Sequence, residues 1–304
     1  MKQITLWLRA MRIPFLQASV LPVVVGSALA YRNGAFSWEL FWIMAAGMGT
    51  INIGTNLTND YFDHESGADG RNSHPTPFSG GSRVIQEGLI KPDSIFIAAA
   101  MAYTVAVMLG LYLVIHRGLG LLWFGVPGVV LSFFYTAPPL MLGYRGWGEP
   151  LVGLLLGPLA VLATYYVFMG GISGAAIWIS LPVGFLVMAI LYINEFPDAE
   201  PDAAAGKNHW IARLGRERAV GGYFTLLTAA YFSILLPVLL GILPIWTLLA
   251  LLSLPLAVRA AWILKRSYNQ IQDLVPAMAL TIQLHLSIGL LLSAGLLLDH
   301  WTGR

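Results

Sequence analysis

Two clusters of acids and amides carry the chemistry this sequence can do. The first is Asn56, Asn59, Asp60 and Asp63, with Asp69 six residues further on. The first four lie at i, i+3, i+4 and i+7, so a helix places them on one face. The second is Asn194, Asp198 and Asp202, at i, i+4 and i+8. Each cluster ends an apolar run. Carboxylates in such a place are costly unless a cation is held among them. Hard oxygen donors suit magnesium, which takes one or two carboxylates and completes its shell with water and phosphate oxygens. Two such clusters facing each other at one membrane edge would make a site for divalent cations and a phosphorylated ligand. Pro197 and Pro201 argue against one straight helix through the second cluster. That helix is expected to end or kink near Phe196.

Cations near the acids could hold the anion. Arg71, Arg83 and Lys207 are the first candidates, then Arg12 and Arg145. Arginine grips phosphate oxygens bidentately, and lysine acts as a point charge. Each also fits the ordinary excess of positive residues on the inner side of a membrane. His64, His74 and His209 are spaced too widely for a zinc set and read as loop residues. Gly80-Gly81-Ser82-Arg83 lacks the spacing of a phosphate-cradling loop. It reads instead as a flexible entry to the amphipathic stretch 84–90, a lid. Tyrosines at a bilayer edge commonly form an interfacial belt. The other reading of Tyr135, Tyr165, Tyr166 and Tyr192 is that they point inward, line a pocket and steady a carbocation through their ring faces.

The elements that must position these residues are membrane helices. Of 304 residues, 57% are hydrophobic and 11% charged, against about 25% charged in a soluble domain. The chain reads as an all-α polytopic membrane protein. Nine apolar runs, 13–31, 38–62, 94–115, 118–136, 149–170, 176–196, 219–240, 244–264 and 276–298, each approach the ~20 residues a crossing needs. No polar linker divides them, so one domain is expected over 1–304. The first run is long and follows Arg9 and Arg12, which fits a span rather than a cleaved signal. There is no cysteine, which excludes disulfides, thiolate ligands and a cysteine nucleophile. A net charge of +2 gives no signal for nucleic acid.

Charge sets the expected orientation. With the N-terminus inside, 14 of the 17 Lys and Arg fall on the cytoplasmic side, and Arg32, Arg117 and Arg304 outside. That bias follows the positive-inside rule and places the C-terminus outside. The acids gather on the inner side too, which the rule does not require. A polar catalytic face there would explain it. Two inner segments, about 64–93 and 197–219, follow the acidic clusters and are expected to cap them.

The paired motifs resemble those of the UbiA-type intramembrane aromatic prenyltransferases, in particular the 1,4-dihydroxy-2-naphthoate branch of menaquinone synthesis. N-x-x-N-D-x-x-D-x-x-x-x-x-D runs from Asn56 to Asp69, and D-x-x-x-D-x-x-x-G-K from Asp198 to Lys207. Y-T-A-P-P-L at Tyr135–Leu140, Y-R-G-x-G-E at Tyr144–Glu149 and the opening R-x-P-F-L-Q-A-S-V-L-P are similar as well. The likeness covers essentially the whole chain. It implies nine helices in a ring around a central cavity, with cytoplasmic cap loops and a side opening to lipid. It implies Mg2+ held by Asp60, Asp63, Asp198 and Asp202, with Asn56 and Asn194 assisting. The ions bind the diphosphate of a polyprenyl donor, and an aromatic acceptor takes the prenyl group. Asn59, Asp69, Asn194, Arg12, Arg71, Arg83, Arg145 and Lys207 would surround that diphosphate. Pro197, Met141 and His209 depart from the branch pattern, where Arg, a basic residue and Thr are usual. They leave naphthoate, hydroxybenzoate, a chlorin, a haem or a glyceryl phosphate open as acceptor. The competing class is a secondary transporter for an anionic metabolite. That class places its binding groups near the midplane on broken helices, whereas these acids lie at one edge.

Overall fold

The computed structural model describes residues 2–71 and 76–303, the side chains of Lys2 and Arg71 excepted. All of its regular structure is helical. A short surface helix, α1 (Lys2–Ala10), leads into α2 (Gln17–Arg32) and α3 (Trp38–Glu65). A single turn, α4 (Ala68–Arg71), opens the cap segment. Then come α5 (Pro92–Arg117), α6 (Leu122–Phe133), α7 (Gly148–Leu154) and α8 (Ala160–Met169), the last two joined by a π-helical turn at Leu155–Leu159. The second half holds α9 (Gly174–Ala204), the short α10 (Trp210–Leu214), α11 (Arg216–Leu239), α12 (Leu254–Ser267) after a 3-10 run at Ile245–Ser253, and α13 (Ile271–Thr302).

Each of the nine expected runs falls on a helical rod. Seven rods are long and apolar enough to cross a membrane, and Leu119–Phe133 is a shorter apolar helix. The remaining rod, α3, carries the polar residues of the first cluster on its final turns. The tight turn expected at 116–118 is a helix end at Arg117 followed by Gly118 with φ 101°.

Neighbouring rods pack in sequence around a ring, and α13 returns to α2. The ring is filled off-centre by α9. In its most apolar stretch 72% is buried, against 17% in α5, which faces outward. Contact between α9 and the π-helical turn rests on small residues, because no hydrophobic force draws helices together inside lipid. A Cβ on Gly157 would lie 2.3 Å from the Gly184 Cα. At the end away from the acids, Arg32 Nε meets Asp299 Oδ2 at 2.6 Å and Asn33 Nδ2 donates to the Tyr165 hydroxyl at 2.7 Å.

Two expectations for the cap region are corrected here. The helix does not end or kink out at Phe196; α9 runs on through Pro197 and Pro201 to Ala204. Proline removes one N–H and crowds the carbonyl four residues back, and α11 braces the same stretch from its side. Arg216 Nε donates to the Phe196 carbonyl at 2.9 Å, and its Nη1 lies 3.1 Å from Glu200. The second cap loop is therefore short. The stretch 84–90 forms turns with no helix, and Gly88 has φ 68°. Val84 and Ile85 are buried against Leu57 and Ile95, which pins this stretch to α3 and α5.

Candidate active site

The two acidic clusters meet at one end of the ring. Lys207 shows it most directly. Its Nζ donates to Asp63 Oδ2 at 3.0 Å and lies 3.6 Å from Asp202 Oδ2, so one ammonium touches both motifs. The cap repeats the link. The Gly80 N–H donates to Asp198 Oδ2 at 3.0 Å, and the Ser82 N–H donates to Asp60 Oδ1 at 3.3 Å. The glycine-rich segment thus binds both clusters through its backbone, a role the sequence reading did not give it.

Between these walls lies a cavity of about 210 Å3. Five acids border it, Asp63, Asp69, Glu195, Asp198 and Asp202, against two cations, Arg12 and Lys207. Asn56, Asn59 and Asn194 complete the polar wall. Asp60 stands one layer behind, between Ser82 and Arg12. The Arg12 guanidinium binds the Asp60 carboxylate and also donates to Asn59 Oδ1 at 3.1 Å. Asn59 Nδ2 in turn donates to Asp63 Oδ2 at 2.9 Å, and Asn56 Nδ2 donates to Asn52 Oδ1 at 3.0 Å.

Burial and charge oppose each other here. Burial works against the Lys207 ammonium, yet Asp202 and Asp63 hold its pKa well above the ordinary lysine value. Burial likewise works against the Arg12 cation, and Asp60, Asp69 and Asp63 more than restore it. At Asp69 the help of Arg12 and Lys207 falls short. Burial, then the neighbouring Asp63 and Asp60, push its pKa up to about 7. The Asp60 Oδ2 and Asn194 Oδ1 atoms are buried with no hydrogen-bond partner. An acid-rich wall with orphaned oxygens fits a hard divalent cation.

Other expected residues sit elsewhere. Arg145 is exposed; it donates to the Pro139 carbonyl at 3.0 Å and turns away from the cavity. Arg83 lies at the outer rim, its Nη1 donating to the Asp69 carbonyl at 2.7 Å. The Arg71 side chain and His74 lie outside the described residues. Of the four tyrosines, Tyr135 borders the cavity. The Tyr165 hydroxyl is held by Asn33 at the far end of the ring, and Tyr166 packs with Phe124. Tyr192 is fully buried, and its hydroxyl donates to the Ala219 carbonyl at 2.9 Å. These three brace helices because their hydroxyls and faces find protein partners first. Phe15 and Phe78 line the cavity instead, with ring centroids 6.2 Å apart.

Several functional neighbours escaped the sequence reading. The Tyr144 hydroxyl donates to Asp63 Oδ1 at 2.7 Å, and its ring lies under Lys207. His209 is not a loop residue at large. It is fully buried as the cap of α10, with Nε2 3.5 Å from Asp202 and Nδ1 3.7 Å from Glu195. Glu149, Glu195 and His209 offer ligand atoms within 4.8 Å of one another, and Glu149 Oε1 accepts from the Trp210 N–H at 2.5 Å. A signal for both glutamates was present: Glu149 opens an apolar helix and Glu195 lies within one.

Residues 19–294 match the UbiA prenyltransferase family. The chain belongs to that family. This UbiA-family chain is 30% identical over 289 residues to the 1,4-dihydroxy-2-naphthoate octaprenyltransferase of Bacillus subtilis, covering 94% of the chain and 90% of that relative. It is 32% identical over 297 residues to the 2-carboxy-1,4-naphthoquinone phytyltransferase of Synechocystis, covering 95% and 92%. Its fold is similar to that of a UbiA homolog from Archaeoglobus fulgidus bound to GPP and Mg2+, with a TM-score of 0.61 at 15% identity over 95% of this chain and 99% of that one. Membership makes the chain a prenyltransferase of the integral membrane class.

Proposed function

We propose that the chain transfers a polyprenyl group from a polyprenyl diphosphate to 1,4-dihydroxy-2-naphthoate, in isoprenoid quinone synthesis, with Mg2+ as cofactor. The reading treats residues 1–304 as one membrane-embedded catalytic domain whose acid-bearing end faces the cytoplasm. The observation that carries it is the joining of both acidic motifs, by Lys207 and by the Gly80–Ser82 backbone, around one acid-lined cavity. The acceptor rests on the relatives, two of which are named for naphthoate or naphthoquinone substrates.

Asp60, Asp63, Asp198 and Asp202, assisted by Asn56 and Asn194, are the residues that would hold Mg2+. When bound, Mg2+ neutralises charge gathering on the departing diphosphate. Lys207 and Arg12 lie at the same wall and add fixed positive charge aimed at that oxygen cluster. The reading gives Arg83 and Arg71 a share in holding the anion. Phe15, Phe78 and Tyr135 offer ring faces to an allylic cation. The cap segment around Gly80 covers the site and keeps water from the cation until the acceptor ring attacks.

Purified protein should form a prenylated naphthoate, identified by mass, when given Mg2+, labelled donor and a panel of acceptors. Asp60→Asn and Asp198→Asn should each lower turnover at least a hundredfold while the protein still folds. Full activity in either variant, or turnover untouched by EDTA, would remove the assignment.

A further inference from the structure

Glu149, Glu195 and His209 come from separate stretches of the chain and meet behind the wall of the acid-lined cavity. Glu149 stands in the first turn of α7, Glu195 on α9 and His209 at the cap of α10. Their exposures are 0%, 6% and 0%, so all three are shut away from solvent. Glu195 also borders the cavity. The atoms they turn to one another are all of one kind. His209 Nδ1 accepts from the Ala212 N–H at 3.3 Å, so this nitrogen carries a lone pair and no proton. It lies 3.7 Å from Glu195 Oε2. Glu149 Oε1 is taken by the Trp210 N–H. Glu149 Oε2 and Glu195 Oε2 are buried with no hydrogen-bond partner among the described residues.

Lone pairs gathered in this way are costly at such depth unless something positive joins them. The near ammonium, Lys207, is held by Asp63 and Asp202. One shared proton joins two of the three groups and leaves the third. A divalent ion joins all three. The donor set also differs from that of the paired aspartates. Two carboxylates and an imidazole suit a first-row transition ion of the Zn2+ class, whereas an all-oxygen set suits Mg2+. A metal-bound histidine presents its other ring nitrogen to a carboxylate, and His209 Nε2 lies 3.5 Å from Asp202 Oδ2. The three ligand atoms lie within 4.8 Å of one another, and a tetrahedral ion sets its ligands about 3.3 Å apart. Side-chain shifts of about 1 Å close that difference at bond lengths of ~2.0–2.1 Å.

We propose that Glu149, Glu195 and His209 form a metal site of the Zn2+ class, distinct from the paired aspartates. The ion ties α10 and the segment 205–209 to α7 and α9. Lys207 lies on that segment, so the ion also steadies the ammonium that touches both acidic motifs.

In the test, protein stripped with a chelator and returned to millimolar Mg2+ is titrated with Zn2+. Retained metal is measured by elemental mass spectrometry, and Tm is followed. The unaltered chain should retain about one zinc and gain in Tm, because the ion binds the folded state. His209→Asn keeps a side-chain acceptor at the helix cap, and Glu195→Gln keeps the side-chain volume. Each should weaken zinc binding at least tenfold and lose the gain in Tm, while Asp198→Asn should keep both. Zinc displaced by the Mg2+, or held no better by the unaltered chain than by the two variants, overturns the proposal. Zinc lost from Asp198→Asn but kept by His209→Asn and Glu195→Gln places the ion at the paired aspartates and overturns it too. Co2+ on the unaltered chain gives a readout that needs no variant. It should show the intense visible bands of a four-coordinate ion, and the weak spectrum of a six-coordinate ion would overturn the assignment.

Discussion

At the scale of single residues, the site is a contest between carboxylates and too few cations. Lys207 serves Asp63 and Asp202, and Arg12 serves Asp60, while at Asp69 the pull of Arg12 and Lys207 is outweighed by burial and by Asp63 and Asp60. Its pKa of about 7 lies above the ordinary aspartate value of 3.8, so the folded protein binds this proton more tightly than the unfolded chain does. The stability it contributes is present below pH 3.8 and is lost as pH rises through 7. A divalent cation at the site favours the carboxylate and expels the proton. Metal-free protein should therefore lose thermal stability from pH 6 to 8, and Mg2+ should restore it. Calorimetry in two buffers of different ionisation enthalpy should show protons released as the site fills at pH 6.5. Asp69→Asn should reduce that release. Equal proton release in the variant would show that another group holds the proton.

At the scale of elements, the cap segment decides whether the two motifs act together. Gly81 has φ +73°, and a Cβ there would lie 2.3 Å from Asp69 Oδ2. Gly88 has nearly the same conformation, φ +68°, with nothing within 4 Å of such a Cβ. Gly81→Ala and Gly88→Ala thus share backbone strain of about 1 kcal/mol and differ in the collision. Both should lose a few degrees in Tm, while Gly81→Ala alone should lose at least tenfold in kcat/KM. Equal activity in the two would mean that the cap does not position Asp69. The sequence made part of this element legible. The clusters were visible because acids and amides recur at helical spacing at the ends of apolar runs, and Lys207 because it follows them. Contacts between segments distant in sequence were hidden. Nothing local announces that Gly80 bonds Asp198, 118 residues away, or that Arg216 of α11 binds the carbonyl of Phe196 beside the two prolines of α9. The tyrosines misled for the same reason. Tyr165 and Tyr192 have the composition of pocket walls, but the partners that claim their hydroxyls, Asn33 and Ala219, come from other helices.

At the scale of the whole molecule, the ring has two unlike ends. One gathers the acids, Lys207, Arg12 and the cap. The other is closed by Arg32 with Asp299, by Asn33 with Tyr165, and by Arg117, whose guanidinium donates to the Val167 and Phe168 carbonyls. The sequence reading divides the lysines and arginines between the two sides as 14 and 3. If the positive-inside rule governs this chain, the acid-bearing end faces the cytoplasm, where a water-soluble diphosphate product could leave. The chain itself permits a clean test because it contains no cysteine. Lys91 is exposed at the start of α5 on the acid-bearing side, and Ile172 is exposed just beyond α8 on the other. Lys91→Cys in intact cells should resist a membrane-impermeant maleimide and react once the membrane is opened. Ile172→Cys should react in intact cells. Both sites lie away from the cavity, so prenyl transfer should persist and confirm that the labelled molecules are folded. The reverse pattern of labelling would turn the ring over, and diphosphate would then have to be released on the outer side.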